Sequence, residues 1–377
     1  MRAMQSEHIL ELKKINKKFP GVQALSNVDL SLGYGEVRCL VGENGSGKTT
    51  LVKIISGAES PTSGTIVLKG NTYKYLTVRQ AIREGIQVIY QDLALFPDLT
   101  AWENIMFNWL IEESEWFVRK KELMCMANDE MERLGVSIDL NEQISNLSMS
   151  KRQIIAIARA LVLKAKLIIF DEPTAALTKK EIDTLLSIIL ELKQRDITTI
   201  FISHKLDEIF KIADSITVLR DGFKVGDFEP SELDEKKLAF YMTGREITYK
   251  TFEPKVESEK RVLEVRNLAK NPHFKNISFY VEKGEIVGII GPLGSGRTEL
   301  MLSLFGLNKP QRGDILFEGK PLNIDGPVQA REIGIALLPE DRHSQGLFIK
   351  MNIADNLTAT ILEKLKNLIT LNLTKLK

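Results

Sequence analysis

The sequence predicts an α/β fold built twice, with an antiparallel edge layer and a helical insert beside the core. Two observations predict it. An internal repeat runs at one fixed offset, and each copy holds an apolar stretch that meets a glycine loop and then a helical pattern. Strands alternating with helices around such loops indicate a layered α/β core.

The repeat sets the domain count. Gly35-Glu36-Val37 recurs as Gly284-Glu285-Ile286, a shift of 249 residues. The same shift carries Gly42 to Gly291, Gly45 to Gly294, Gly47 to Gly296, Gly64 to Gly313, Gly70 to Gly319 and Gln91 to Glu340. Leu10-Glu11-Leu12 matches Leu263-Glu264-Val265 at a shift of 253, so the second copy is shorter by about four residues in the stretch facing Lys18 to Leu25. A period this long marks a duplicated domain rather than a solenoid. The first domain is expected over 7–244, with its insert at about 92–148, and the second over 262–377. Between them 245–261 is polar, charged and interrupted by Pro254, and reads as a linker.

Bulk composition narrows the class. A chain of 377 residues, 44% apolar and 27% charged, has the make-up of a soluble globular protein with room for two or three cores. Its 51 basic residues nearly balance its 50 acidic ones, which argues against a dedicated nucleic-acid binder. Cys39 and Cys125 are too few for a disulfide framework, and a reducing compartment is expected. The start, MRAMQSEHILELKK, places charges where a secretory leader is apolar. No uncharged apolar run approaches the roughly 18 residues of a bilayer span.

In the first copy the elements follow in order. Val37 to Val41 reads as a short apolar strand, and TTLVKIISG reads as a helix ending at Gly57. Between them lies G-x-x-x-x-G-K-T: Gly42, Gly45, Gly47, Lys48 and Thr49. The glycines let backbone N–H groups converge on phosphate oxygens, and the helix N-terminus adds partial positive charge. Lys48 is placed for the β- and γ-phosphates, and the Thr49 hydroxyl for Mg²⁺. In the insert, Trp102, Trp109 and Trp116 recur every seven residues and predict a buried helix face. Further on, LIIFDE is a buried parallel strand ending in Asp171 and Glu172. The C-terminal ends of such strands are where open α/β sheets bind ligands. Asp171 is expected in the Mg²⁺ shell, and Glu172 on the attacking water.

With these residues in place, the sequence resembles the ATP-binding subunits of ABC transporters, a P-loop NTPase family, over its whole length. Gln91 in VIYQD stands at the Q-loop position, which in the family touches Mg²⁺ and the membrane partner. His204 in FISHKLDE is similar to the switch histidine at the γ-phosphate, and Phe19 in KKFP to the aromatic that stacks on adenine. Ala175-Ala176-Leu177-Thr178 occupies the D-loop position. Each is weak alone; their order and spacing make the set specific. FPDLTAWENI after Gln91, YMTGRE closing the first domain, and GRTEL with LPEDR in the second resemble bacterial importers of the ribose, galactose and xylose type. The resemblance implies ATP and Mg²⁺ as cofactors, with nucleotide on Phe19, Gly42, Glu43, Asn44, Gly45, Ser46, Gly47, Lys48, Thr49, Thr50 and Ser148. It implies metal contacts from Thr49, Gln91 and Asp171, and catalytic roles for Glu172, His204 and Gln91.

Two departures stand out. The family's L-S-G-G-Q signature is here Leu147-Ser148-Met149-Ser150-Lys151, keeping Ser148 while side chains occupy both glycine positions. In the second copy's loop Arg297 replaces the lysine, and Glu340 stands where the glutamine would be. The degenerate loop would face the degenerate signature, so one working and one structural site is the expected design. The offset places the second signature, carboxylate pair and histidine beyond Lys377. The second copy is therefore expected to be an incomplete, truncated domain, with weak turnover by the chain alone.

The expected function is the motor subunit of a monosaccharide importer at the cytoplasmic face of a bacterial membrane. Its partners would be integral membrane permease subunits and, indirectly, an extracytoplasmic solute-binding protein, with no nucleic acid. A nucleotide-binding fragment with impaired catalysis is the first alternative. A soluble tandem ABC protein acting on ribosomes or nucleic acid is the second; such proteins carry a long charged helical linker and two intact signatures, which this sequence does not.

Overall fold

A computed structural model of the chain describes residues 8–113, 119–175, 177–246, 260–292, 294–341 and 345–361. Trp116, Ala176, Leu293, most of the linker and the tail from 362 lie outside the described residues. The chain divides into two compact units, Met1–Tyr249 and Lys250–Lys377, and the division falls inside the 245–261 segment.

The first unit opens with β1 (His8–Phe19), β2 (Val22–Gly33), β3 (Val37–Val41) and α1 (Lys48–Ile55). β4 (Ser63–Leu68), β5 (Asn71–Tyr73), α2 (Val78–Arg83) and β6 (Ile86–Ile89) follow. The insert supplies α3 (Ala101–Glu113) and α4 (Lys120–Arg133), and α5 (Met149–Val162) leads back to β7 (Leu167–Asp171). The unit closes with α6 (Lys179–Gln194), β8 (Thr198–Ile202), α7 (Leu206–Ile212), β9 (Ser215–Arg220), β10 (Phe223–Phe228) and α8 (Glu235–Thr243).

Two sheets result. The antiparallel edge layer has the order β2-β1-β4-β5, and the core sheet has the order β10-β9-β3-β8-β7-β6. Within the core sheet β3 pairs parallel with both β8 and β9, and β7 with both β8 and β6. A parallel sheet covered on both faces needs continuous apolar strands, and every residue of β3 and β8 is buried. Alternation then splits the core. Val37, Cys39 and Val41 join α5 and α6 on one face, while Leu40 joins α1 and the edge layer on the other. This strand order sets the C-terminal ends of β3, β8, β7 and β6 side by side, which lines up the phosphate loop, His204, the carboxylates and Gln91.

Three local expectations are refined. α1 stops at Ile55, and Gly57, at φ 75°, follows as a left-handed stop rather than as the last helical residue. Trp102 and Trp109 pack against the larger core only half-buried, not on a buried face; Lys120 Nζ sits 5.3 Å from the Trp102 ring centroid and keeps that ring near water. Ser148 caps α5, its hydroxyl accepting from the Lys151 N–H at 3.5 Å, so the altered signature still opens a helix.

The second unit has β11 (Arg261–Lys270), β12 (Phe274–Glu282), α9 (Arg297–Leu304), β13 (Arg312–Phe317), β14 (Lys320–Pro321) and α10 (Pro327–Glu332). Its sheet, β12-β11-β13-β14, repeats the edge layer. Leu263↔Phe317 and Val265↔Ile315 mirror Leu10↔Leu68 and Leu12↔Ile66, the register that the two offsets require. Residues 286–290 align with β3 but pair with no strand among the described residues. Ile286 is 76% and Ile290 96% exposed, whereas Val37 and Val41 are 0% exposed between β8 and β9.

Candidate nucleotide-binding site

The glycine loop between β3 and α1 has a shape that side chains forbid. Gly47 has φ 103°, and a Cβ there would lie 2.7 Å from the Ala24 carbonyl oxygen. Gly42 has φ 154°, and its Cβ would lie 2.2 Å from the Leu219 oxygen. Both positions combine backbone strain with a collision, so only glycine fits. α1 then starts at Lys48 with no side-chain cap and no acidic residue in its first turn. Its first N–H groups and its dipole are left for an anion.

Lys48 bridges the loop, its Nζ donating to the Gly42 carbonyl at 2.7 Å and the Glu43 carbonyl at 2.9 Å. Burial holds its ammonium below the usual lysine range, against the pull of Glu172 and Asp171. Asp171 ends β7; burial pushes its carboxyl above the usual range, Glu172 adds to the rise, and Lys48 opposes it. The lysine and the two carboxylates thus feel one another across one space. Glu172 follows at φ 48°, left-handed for a residue that is not glycine, with its N–H donating to the Ile202 oxygen at 3.1 Å. Such a conformation persists only where its surroundings fix it, and it is concentrated at working sites.

A cleft of about 400 Å³ joins these parts. Phe19, Asn44, Gly45, Gly47, Lys48, Thr49, Thr50, Asp171 and Glu172 line it, together with Val22 and Ala24. Gly42, Glu43 and Ser46 shape the loop behind that lining. His204 stands beside it, its Nδ1 3.7 Å from Glu172 Oε2. Gln91 lies exposed beyond β6, and Ser148 lies exposed at the start of α5; neither lines the cleft.

Val22 and Ala24 were not anticipated. They enter because β1 turns at Phe19 directly into β2, so the hairpin forms a wall beside the ring. The signal was the local change of repeat offset in this stretch. Arg159 and Glu208 were also missed; Arg159 is a charge set in an otherwise apolar helical pattern, IIAIARALV, whereas Glu208 sits beside Asp207 in LDEIF and carries no such signal.

The residues present fit a phosphate and a magnesium ion. Ser46 Oγ is buried with no hydrogen-bond partner among the described residues, as suits a loop that closes on phosphate oxygens. No described group of three acidic, histidine or cysteine side chains could hold a metal by itself. One carboxylate and one hydroxyl beside a phosphate loop are the ligand supply of an ion that is shared with phosphates.

Comparison with known proteins agrees with this geometry. The ABC transporter family model matches residues 25–175 and 274–376. A putative ribose/galactose/methyl galactoside import ATP-binding protein of Geobacillus kaustophilus is 41% identical over 95% of this chain and 72% of its own length. A xylose import ATP-binding protein of Moorella thermoacetica is 39% identical over 96% of this chain and 73% of its own. Among solved structures, an ATP-binding cassette of an ABC transporter in its ADP conformation superposes with a TM-score of 0.58 at 25% identity, covering 64% of this chain and all of that one. A dimeric post-hydrolysis cassette bound to ADP and phosphate gives 0.53 at 26% identity, over 59% of this chain and 98% of that one. With its phosphate loop, strand-end carboxylates and repeated edge layer matched in this way, the chain belongs to the ABC transporter family.

Proposed function

We propose that this chain is the ATP-hydrolysing subunit of an importer for a monosaccharide or related small solute. The cleft that gathers Lys48, Asp171 and Glu172 with Phe19 is the observation that carries the reading. Adenine stacks on Phe19, and the phosphates lie over Asn44 to Thr50. Lys48 meets the β- and γ-phosphates, and the Ser46 hydroxyl donates a hydrogen bond to a phosphate oxygen. Thr49 and Asp171 would hold Mg²⁺, which neutralises phosphoryl charge when bound. Glu172 takes the proton of the water whose oxygen bonds to the γ-phosphorus while the bridge to ADP breaks. His204 steadies the γ-phosphate from the neighbouring strand end.

The sugar class comes from the relatives, which are named for import of ribose, galactose and xylose. Residues 7–244 serve as the first ATP-binding domain and 262–377 belong to a second, in keeping with the two compact units. No described helix is long and apolar enough to cross a membrane. A peripheral place on the cytoplasmic face suits that, with membrane permease subunits as partners and a solute-binding protein acting through them. Exposed Gln91 is positioned to report to the permease.

The test is Mg-ATP binding and steady-state hydrolysis by the purified chain, with co-purification of permease subunits and sugar uptake by vesicles. Uptake of ribose, galactose or xylose that needs Lys48 supports the reading, and ATP-independent uptake defeats it. A second reading, nucleotide binding with impaired turnover, is favoured by the signature. Met149 and Ser150 place side chains at the α5 N-terminus, where the family has glycines. Tight binding with negligible turnover would select it.

A further inference from the structure

We propose that Glu208 is a positioning residue for hydrolysis, pinning the turn that carries Glu172 to the corner that carries His204. The inference rests on the roles assigned above to those two residues. Glu208 opens α7 and is 1% exposed. A buried carboxylate is costly unless it is paired. Its Oε2 accepts from Thr174 Oγ1 at 2.8 Å and from Ser203 Oγ at 2.9 Å. Its Oε1 faces Lys205 Nζ at 3.2 Å. The same ammonium donates to the Thr174 carbonyl at 3.0 Å, and Ser203 Oγ accepts the Lys205 N–H at 3.1 Å.

These contacts have a direction. Thr174 lies two residues after Glu172, and Ser203 and Lys205 flank His204. Glu172 holds a left-handed backbone, which needs outside restraint. Besides the local Leu177 N–H to the Thr174 oxygen at 3.3 Å, three restraints act on its turn: the Glu172 N–H to the Ile202 oxygen, Thr174 Oγ1 to Glu208, and Lys205 Nζ to the Thr174 oxygen. All three come from residues 202–208. Glu208 does not line the cleft, and its polar contacts are to Thr174, Ser203 and Lys205 rather than to the glycine loop. Its effect is therefore on the spacing of Glu172 and His204, and not on nucleotide binding.

The experiment uses the full chain as wild type, Glu208→Ala, Glu208→Gln and Thr174→Val, read by amide hydrogen exchange, Mg-ATP affinity and steady-state kinetics. Glu208→Ala and Thr174→Val are expected to speed exchange of the Glu172 and Lys205 amides about tenfold or more. Exchange over residues 42–50 and Mg-ATP affinity stay at wild-type values. The value of kcat falls about 10- to 100-fold at constant KM, and Glu208→Gln, which keeps shape and one acceptor, recovers part of it. Unchanged exchange at Glu172 in either variant overturns the proposal, as does a loss of affinity matching the loss of turnover. Should Glu208→Ala fail to fold, Thr174→Val carries the test. Wild-type turnover in Glu172→Gln would instead remove the role of Glu172, and the exchange measurement decides the brace separately.

Discussion

His204 Nδ1 stands 3.7 Å from Glu172 Oε2, each just beyond the end of one of two adjacent parallel strands. The gap is too long for a direct hydrogen bond, and it leaves both side chains free to turn to a ligand. A water or phosphate oxygen there would meet a proton acceptor on one side and a donor on the other. The Glu172 side chain is 27% exposed and that of His204 59%, so the pair is open to a ligand entering the cleft.

Glu172→Gln keeps the shape but removes the proton acceptor. Its kcat should fall about 100- to 10,000-fold, with Mg-ATP affinity nearly unchanged. His204→Ala should cost about 100-fold in kcat through loss of one donor to the γ-phosphate. Steady-state kinetics beside equilibrium binding check both.

Lys48→Ala acts on binding. On the proposed role, charge-assisted bonds from the ammonium to phosphate would contribute about 1.5–3 kcal/mol, so Mg-ATP affinity should weaken about 10- to 100-fold. Titration with a fluorescent nucleotide measures it. Equal affinity in the variant would mean that Lys48 serves only its bonds to the Gly42 and Glu43 carbonyls.

How much of this was legible beforehand depended on range. β3 and β7 could be read because parallel strands covered on both faces are apolar runs, and the loop because its glycines answer to local backbone geometry. The edge layer's repetition could be read because the two offsets match its residues copy to copy, while the pairing across strands came from the structure. Glu208 joins Thr174 across 34 positions and Arg159 joins Leu93 across 66, and no periodicity encodes such contacts. The Trp spacing gave the helix face, yet burial depended on Lys120, which belongs to the next helix.

Asp171 makes a pH prediction with a definite sign. Its ordinary value is 3.8, and burial raises it in the fold. The folded state therefore holds the proton to higher pH than the unfolded chain does. Stability contributed by the protonated acid is fully present below 3.8 and is lost as pH rises through the folded value. Above that folded value the ionised side chain is a net cost. Asp171→Asn should raise the Tm of the nucleotide-free protein, by about 2–4 °C for each kcal/mol recovered. The stabilisation that Mg-ATP adds to wild type should shrink in the same variant. A scan with and without Mg-ATP separates the two effects.

Gly47→Ala tests the loop itself. Alanine at φ 103°, with its Cβ 2.7 Å from the Ala24 oxygen, should cost about 1–3 kcal/mol and weaken Mg-ATP binding as the loop shifts. Gly45 makes the comparison: a Cβ there meets nothing within 4 Å, although its φ of 83° is also left-handed. Gly45→Ala should therefore lose less stability than Gly47→Ala. Equal losses would put the whole cost in the backbone conformation and none in the collision.

Arg159 ties α5 to the segment that follows Gln91. From α5 its Nη1 donates to the Ala94 carbonyl and its Nη2 to the Leu93 carbonyl, each at 2.9 Å. Burial pulls the guanidinium below its usual range, and among the described residues it is two carbonyls rather than a carboxylate that meet it. Ala94, at φ 48°, takes a left-handed conformation that this grip helps to hold. Arg159→Met keeps the apolar stem and removes both donors. It should destabilise the first unit by about 1–3 kcal/mol for the carbonyls left unpaired. The local consequence is sharper than the global one. The Phe96 N–H, which donates to Asn104 Oδ1 at 2.8 Å, should exchange faster, while the Lys48 region keeps wild-type protection. Arg159→Lys, a single point charge in place of a planar fork, can serve one carbonyl at a time and should fall between the two. Wild-type exchange at Phe96 in Arg159→Met would show that the segment after Gln91 is held by the insert helices alone.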